Sequence, residues 1–216
     1  MEFERDSVVQ WVMGLREMPQ FPQIVIGPRQ VGKTTAMRQA ADRLDWPRVV
    51  ASADESLPPG AEWVESQWRL ARVKEAACQG PVLLVLDEIQ KVAGWSEVVK
   101  RLWDEEQARK GRIRVVLLGS SALQLHQGMT ESLAGRYFLH RCTHWMWPEC
   151  EKAFGWSLED WLVFGGYPRT RDVSARSVSN RRRHKAPISK RLNICPLTSG
   201  LHVITLRTLN RSLNWI

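Results

Sequence analysis

Apolar residues form two kinds of pattern along the chain. Three segments are apolar over most of their length: Gln23–Ile26, residues 82–86 and residues 113–121. Such runs are typical of strands that are buried on both faces of a parallel sheet. Arg48–Ser52 and residues 137–143 are predicted as two further strands.

Between these strands, apolar residues recur at helical spacing. Helices are predicted for residues 7–18, 34–44, 61–78 and 96–109, the last with Ser96 as its N-cap. Strands that alternate with helices favour right-handed βαβ connections, which make the strands parallel and place helices on both faces of the sheet. The pattern therefore predicts an α/β fold.

The segment between the first strand and the next helix fits the phosphate-binding pattern G-x-x-x-x-G-K-[ST]. Its glycines allow close approach of the backbone, and the loop N–H groups with the helix N-terminus favour an anion. The lysine would lie near the β- and γ-phosphates, and the first threonine hydroxyl would bind Mg²⁺. A chance match in a Gly-rich turn is the alternative, but the flanking strand and helix supply the required context. The predicted nucleotide-binding residues are Gly27, Pro28, Arg29, Gln30, Val31, Gly32, Lys33, Thr34 and Thr35.

Two carboxylates, Asp87 and Glu88, follow the apolar run at residues 82–86. Ligands of open α/β sheets bind at the carboxyl ends of the strands, where these side chains are expected. Asp87 would bind Mg²⁺ directly or through water, and Glu88 would polarise the water that attacks the γ-phosphate. The alternative is a core strand that leads into an acidic helix start. The phosphate-binding loop upstream favours the first interpretation.

Ser120 occupies the corresponding position after the strand at residues 113–121. Its hydroxyl would hydrogen-bond the γ-phosphate or the attacking water. An equally simple interpretation makes Ser120 the N-cap of the next helix. The pattern of residues alone leaves both roles open.

His140, Cys142 and His144 alternate along the last predicted strand and share a face, with Cys150 downstream. A metal site is one interpretation, but these residues lack the spacing of zinc ligands, which favours a structural role. A group of aromatic residues in the same region could stack on bases, yet the segment is not basic and core packing is favoured. These residues are Trp145, Trp147, Trp156 and Trp161.

Length and charge divide the chain into two parts. Its 216 residues suggest one domain, or one domain with an appendage. Residues 171–216 contain ten of the 31 basic residues and one of the 23 acidic residues, so residues 1–170 are nearly neutral despite the net charge of +8. The main part therefore lacks the charge excess of a nucleic-acid-binding surface. The sequence shows neither a signal peptide nor a membrane span, and the cysteines form no C-x-x-C pair, so a cytoplasmic location is expected.

These motifs together resemble an AAA+ P-loop ATPase. More narrowly, the chain is similar to a prokaryotic family of ATP-binding proteins in which the AAA domain precedes a C-terminal domain of unknown function. The resemblance covers roughly residues 7–170. Its motifs are GPRQVGKTT at residues 27–35, LDEIQK at 86–91 with Trp95, LGSS at 118–121, ESLAGR at 131–136 and FGGYP at 164–168.

The resemblance implies a three-layer fold whose five-stranded parallel sheet has the order 5-1-4-3-2. It also implies that the domain binds ATP and Mg²⁺, with Ser120 as the sensor-1-like residue. Arg136 becomes a candidate arginine finger or phosphate contact, and in a homo-oligomer it would reach a neighbour's nucleotide. The alternative for Arg136 is a surface arginine in an ion pair.

The chain departs from this family after about Thr170. Residues 1–170 are expected to form the ATP-binding domain, and residues 171–216 form a basic tail with a charge run at 181–185. The tail could be a nucleic-acid or targeting arm, a disordered appendage, or the out-of-frame end of a truncated gene, which we favour. ATP binding with Mg²⁺-dependent hydrolysis is the leading hypothesis for the function. The alternatives are a nucleotide-gated interaction module, with nucleic acid bound only through the tail, and a non-functional fragment.

Overall fold

The computed structural model describes residues 3–17, 21–54, 59–120, 133 and 135–168. All of them belong to residues 1–176, one of the two units into which the chain divides. The predicted domain boundary at residue 170 and the basic tail lie outside the described residues. The same holds for four residues of the matched motifs, Ser121, Glu131, Ser132 and Ala134.

Five parallel strands form a single sheet in the part of the chain that the structure describes. They are β1 (Gln23–Ile26), β2 (Arg48–Ser52), β3 (Val82–Asp87), β4 (Ile113–Gly119) and β5 (Phe138–Arg141). Their order across the sheet is β2-β3-β4-β1-β5. Read from β5, this is the order 5-1-4-3-2, which confirms the expected α/β topology. Every residue of β3 is buried, as expected for a strand covered on both faces.

Within the described residues, four longer helices cover the sheet, and two shorter ones follow β5. They are α1 (Asp6–Glu17), α2 (Lys33–Leu44), α3 (Ala61–Cys78), α4 (Trp95–Ala108), α5 (Trp147–Phe154) and α6 (Leu158–Phe164). No helix within the described ranges is both long and apolar enough to cross a membrane.

Side chains that alternate along the strands create two separate cores. Val25, Val85 and Val116 pack against α1 and α2 on one face. Ile24 and Leu84, each next to one of those residues in sequence, pack against α3 and α4 on the other face. This alternation with period two produces three layers, helices on sheet on helices.

A buried carboxylate joins α3 to α4. Glu106 of α4 is 1% exposed. It accepts hydrogen bonds from Trp68 Nε1 at 2.9 Å, Arg72 Nε at 2.6 Å and Arg109 Nε at 2.7 Å. Arg109 also pairs with Glu75 of α3. Burial acts to raise the pKa of Glu75, but the hydrogen bonds from Arg109 and from the Arg112 N–H outweigh it, and the pKa lies below its ordinary value.

The structure corrects the sequence prediction at three places. Helix α4 begins at Trp95 with Gly94 (φ +66°) at the N-cap, so Ser96 lies inside the helix. Strand β5 is shorter than residues 137–143. Helices α5 and α6 were not predicted. A capping box marks the start of α6, where Ser157 Oγ accepts from the Asp160 N–H at 3.1 Å and Asp160 Oδ2 accepts from the Ser157 N–H.

Candidate functional site

The carboxyl ends of three neighbouring strands bring most of the predicted site residues together. The phosphate-binding loop follows β1, Ser120 follows β4, and Asp87 ends β3. Because β4 lies between β1 and β3 in the sheet, Ser120 lies between the loop and the acidic pair. This is the edge at which open α/β sheets bind ligands.

The loop backbone needs glycine at two positions. Gly32 has φ +89° and is the N-cap of α2. A Cβ on Gly27 would lie 2.0 Å from the carbonyl oxygen of Cys142, which follows β5. Within the described residues, no side chain caps the start of α2. The first N–H groups of this helix are therefore available to an anion, which the helix dipole also favours.

Lys33 places a cation at this loop. Its side chain is 6% exposed, and Nζ donates to the carbonyl oxygens of Gly27 at 2.8 Å and Pro28 at 2.7 Å. Burial lowers the pKa of Lys33 below its ordinary value, and the nearby charges of Glu88 and Asp87 oppose this shift. The ammonium group is thus held at the loop by the loop's own carbonyl groups.

Thr34 and Asp87 are in direct contact. Thr34 Oγ1 donates to Asp87 Oδ2 at 2.7 Å, and Asp87 Oδ1 accepts from the Glu88 N–H at 2.9 Å. A hydroxyl and a carboxylate oxygen are hard ligands of the kind that Mg²⁺ takes in nucleotide sites. The residues present therefore fit the expected metal.

Glu88 and Ser120 are also in contact, together with a residue that the sequence did not single out. Ser120 Oγ donates to Glu88 Oε2 at 2.9 Å. Gln90 Nε2 donates to Ser120 Oγ at 3.2 Å and to the same Glu88 oxygen. Gln90 belongs to the LDEIQK motif at residues 86–91, but no role was predicted for it from the sequence.

A cavity of about 320 Å³ opens at the loop. A second cavity, of about 300 Å³, lies beside it and shares Gly32, Thr35 and Pro168 with the first. The second cavity has an aromatic lining that includes Phe3, Trp145 and Phe154. We call these the loop cavity and the aromatic cavity. The loop cavity is lined by Arg29, Gln30, Gly32, Lys33, Thr34, Thr35, Glu88 and Pro168.

Trp145 connects the aromatic cavity to the phosphate-binding loop. Its indole Nε1 donates to the carbonyl oxygen of Val31 at 2.9 Å. The ring packs against Phe154, with 5.2 Å between ring centroids, and against Phe3 at 5.4 Å. A Cβ on Gly166 would lie 2.1 Å from the Trp145 carbonyl oxygen, so only glycine fits there. The predicted core packing is confirmed for Trp145 and Trp156, which are buried in one cluster with Trp161 packed against it, and Trp145 also supports the loop.

Arg5 fixes the N-terminal segment over the same cavity. It is 6% exposed and forms a two-point contact with Glu149, Nε to Oε1 at 2.8 Å and Nη2 to Oε2 at 3.2 Å. Its guanidinium also lies 5.2 Å from the centre of the Trp145 ring, as in a cation–π contact. No local pattern in the sequence marks Arg5, because its partner lies 144 positions away in the chain.

Arg136 lies elsewhere in the structure. Its Nη1 forms an ion pair with Asp104 Oδ1 of α4 at 3.1 Å, and both side chains are exposed. The structure therefore does not bring Arg136 to the loop of its own chain. Its action on a neighbour's nucleotide stays a prediction.

The histidine and cysteine side chains contact separate partners. His140 Nε2 is 2.6 Å from Gln23 Oε1, and His144 Nε2 is 2.6 Å from the Tyr167 hydroxyl. Cys142 Sγ accepts from Arg5 at 3.3 Å. Burial lowers the pKa of His140 and raises the pKa of Cys142. The described residues contain no group of three or more His, Cys, Asp or Glu residues that could hold a metal ion.

Comparisons with known proteins agree with this architecture. A family model described as an AAA domain matches residues 20–150. A solved structure, a Walker-type ATPase of Pyrococcus abyssi, superposes with a TM-score of 0.59. The two chains are 14% identical, over 84% of this chain and 76% of that one, so this likeness concerns the fold alone. No curated protein matches the sequence.

Proposed function

Because this chain belongs to the family of AAA domains, we propose that it binds ATP with Mg²⁺ and hydrolyses the γ-phosphate. One observation carries the proposal. Thr34 lies in the first turn of α2 and Asp87 ends β3, yet their oxygen atoms lie 2.7 Å apart, beside Lys33 and Glu88. This combination of a hydroxyl, two carboxylates and an ammonium group suits a metal-bound polyphosphate.

Residues 27–35 would bind the phosphates. The N–H groups at the start of α2 and the Lys33 ammonium group would neutralise phosphate charge, while Thr34 and Asp87 hold the metal. When bound, Mg²⁺ supplies positive charge that stabilises the transferring phosphoryl group. Lys33 would exchange its bonds to the Gly27 and Pro28 carbonyl groups for bonds to phosphate oxygens.

The aromatic cavity is the proposed site of the base. It adjoins the loop cavity, with which it shares Gly32, Thr35 and Pro168. Phe3 and Phe154 offer flat apolar surfaces, and the Gln39 side chain offers polar atoms. A base bound here would stack on rings and meet a few polar groups, as in most small-molecule sites. Adenine as the preferred base is an expectation from the family.

Hydrolysis needs a positioned water and stabilised charge. Glu88 would orient and polarise the attacking water, and Ser120 would contact the γ-phosphate. The contact between these two side chains supports a shared site. Arg136 pairs with Asp104 and does not contact the phosphate-binding loop of its own chain. Any contact with phosphate would therefore be to the nucleotide of a neighbouring copy in a homo-oligomer.

The test is nucleotide binding measured by titration calorimetry. The wild-type chain should bind ATP in Mg²⁺, and Lys33→Ala should abolish binding. Lys74→Ala is the matched control, because Lys74 is an exposed lysine that donates to the Arg48 carbonyl group. Binding that survives in Lys33→Ala, or an equal loss in both variants, would contradict the proposed phosphate site.

A second candidate function rests on the charge of residues 171–216, which carry ten of the 31 basic residues. In this alternative the chain is a nucleotide-gated module that binds nucleic acid through the tail, with slow or no hydrolysis. Replacing the basic residues at 181–185 by glutamine should weaken DNA binding and reduce its dependence on salt concentration. Unchanged DNA affinity in that variant would exclude the tail as the binding element.

A further inference from the structure

We propose that Gln90 is a positioning residue that holds the Glu88 carboxylate through a triangle of hydrogen bonds with Ser120. The proposal rests on the proposed function, since it assigns Glu88 the task of orienting water. The triangle consists of the Gln90 amide, the Ser120 hydroxyl and one carboxylate oxygen, Glu88 Oε2.

Donors and acceptors match in this triangle. Gln90 Nε2 lies within hydrogen-bond distance of both Ser120 Oγ and Glu88 Oε2 and donates to both. Ser120 accepts one of these bonds and donates its single hydrogen to the same Glu88 oxygen. Glu88 Oε2 therefore accepts two hydrogen bonds, while Oε1 takes no part in the triangle. A carboxylate held by one oxygen presents the other in a fixed direction.

The backbone fixes the position of Gln90. Glu88 has φ +54° and ψ 36°, in the left-handed region, where a non-glycine residue is uncommon. A 3₁₀ turn, Ile89–Lys91, follows at once, closed by the Lys91 N–H bond to the Glu88 carbonyl group at 3.0 Å. Ile89 is fully buried in the core below. This turn folds the chain back, so that the side chain of residue 90 meets that of residue 88.

The amide of Gln90 has a single favourable orientation. Its Oε1 atom is buried without a hydrogen-bond partner among the described residues. The flipped amide would place that oxygen against the Glu88 carboxylate, where two acceptors repel each other. A buried amide with an unsatisfied carbonyl is unusual, and the two bonds made by Nε2 explain why it persists. The side chain is thus oriented toward Glu88.

This arrangement separates the tasks of the two donors. The Ser120 hydroxyl has one hydrogen, so it cannot donate to Glu88 and to a γ-phosphate at the same time. The Gln90 amide is not assigned to the γ-phosphate, so it can donate to Glu88 throughout. When Ser120 turns to the phosphate, Gln90 keeps Glu88 in place. Gln90 should therefore affect the chemical step and leave nucleotide affinity almost unchanged.

Two measurements test the proposal on the full chain. In ATPase kinetics, Gln90→Met should lower kcat by roughly tenfold or more, with KM and the ATP dissociation constant within about twofold of wild type. Gln107→Met, at an exposed position on α4, is the matched control and should change none of these values.

The second measurement needs no nucleotide. Urea unfolding of Gln90→Met, Glu88→Ala and the double variant forms a double-mutant cycle. The effects on the folding equilibrium should be non-additive by roughly fivefold, about 1 kcal/mol. Additive effects would overturn the proposal whatever the kinetics show, and so would an unchanged kcat in Gln90→Met. If the cycle shows coupling but the wild type does not hydrolyse ATP, the proposed function is wrong, while the contact between Gln90 and Glu88 is confirmed.

Discussion

The hydrogen bond from Trp145 to the phosphate-binding loop gives the sharpest prediction about stability. Trp145→Phe keeps an aromatic ring beside Phe154 but removes the indole N–H, which donates to the Val31 carbonyl oxygen at 2.9 Å. Trp145 is 7% exposed and Val31 is fully buried. The carbonyl group therefore loses its partner in a place that water does not readily reach.

The expected cost follows from these two facts. A buried acceptor left without a partner costs about 1–3 kcal/mol. The smaller phenyl ring leaves unfilled space, which adds about 1 kcal/mol. We expect the free energy of unfolding to fall by about 2–4 kcal/mol. The free energy of unfolding of a native domain is about 5–15 kcal/mol, so the variant should still fold.

The assay is urea unfolding followed by far-UV circular dichroism, because the substitution itself changes tryptophan fluorescence. Trp147→Phe is the matched control. Its Nε1 lies 3.4 Å from the Trp156 carbonyl oxygen, a longer bond at a half-buried residue, and we expect a loss below about 1 kcal/mol. ATP affinity should fall in Trp145→Phe more than in the control. Equal losses of stability in the two variants would refute the role assigned to the loop contact.

Three further predictions concern single side chains. Gly27→Ala should destabilise the fold and reduce ATP affinity, measured by thermal melts and titration, since its Cβ would collide with the Cys142 carbonyl group. His140→Phe should flatten the dependence of the urea midpoint on pH between about 5 and 7. Burial lowers the pKa of His140 in the folded state. The unfolded state therefore binds more protons than the folded state below about pH 6.5, and the wild type loses stability on acidification. A steeper pH dependence of the urea midpoint in the variant than in the wild type would contradict this explanation. Glu106→Ala should lower the free energy of unfolding, measured in urea, by about 2–3 kcal/mol, because the buried Trp68 N–H loses its acceptor. This value includes a discount for the ion pairs of Glu106, because its arginine partners are partly exposed.

The sheet could be predicted from the sequence because its signals are local. The apolar runs at β3 and β4 mark strands covered on both faces, and the helical periods between strands determine the parallel topology. Asp87 and Ser120 could be assigned to the site because the carboxyl ends of neighbouring parallel strands meet at one edge. The strand order itself came from the resemblance to a family.

Contacts between distant parts of the chain could not be predicted. Arg5 contacts Glu149, and Trp145 contacts Val31, which lies 114 positions away in the chain. Local periodicity indicates neither contact. Helices α5 and α6 were missed because the tryptophans there were interpreted as a packing cluster. The Ser157–Asp160 capping pattern was present in the sequence and predicts the start of α6.

The most direct test of the central claim is the rate of ATP hydrolysis by the full chain in Mg²⁺, compared with Glu88→Gln. We predict Mg²⁺-dependent turnover by the wild type. Glu88→Gln should bind ATP with a dissociation constant within about twofold of wild type, while turnover falls by about a hundredfold or more. Equal turnover by the two proteins, or ATP bound by the wild type without any hydrolysis, would contradict the assignment of Glu88 and of the reaction.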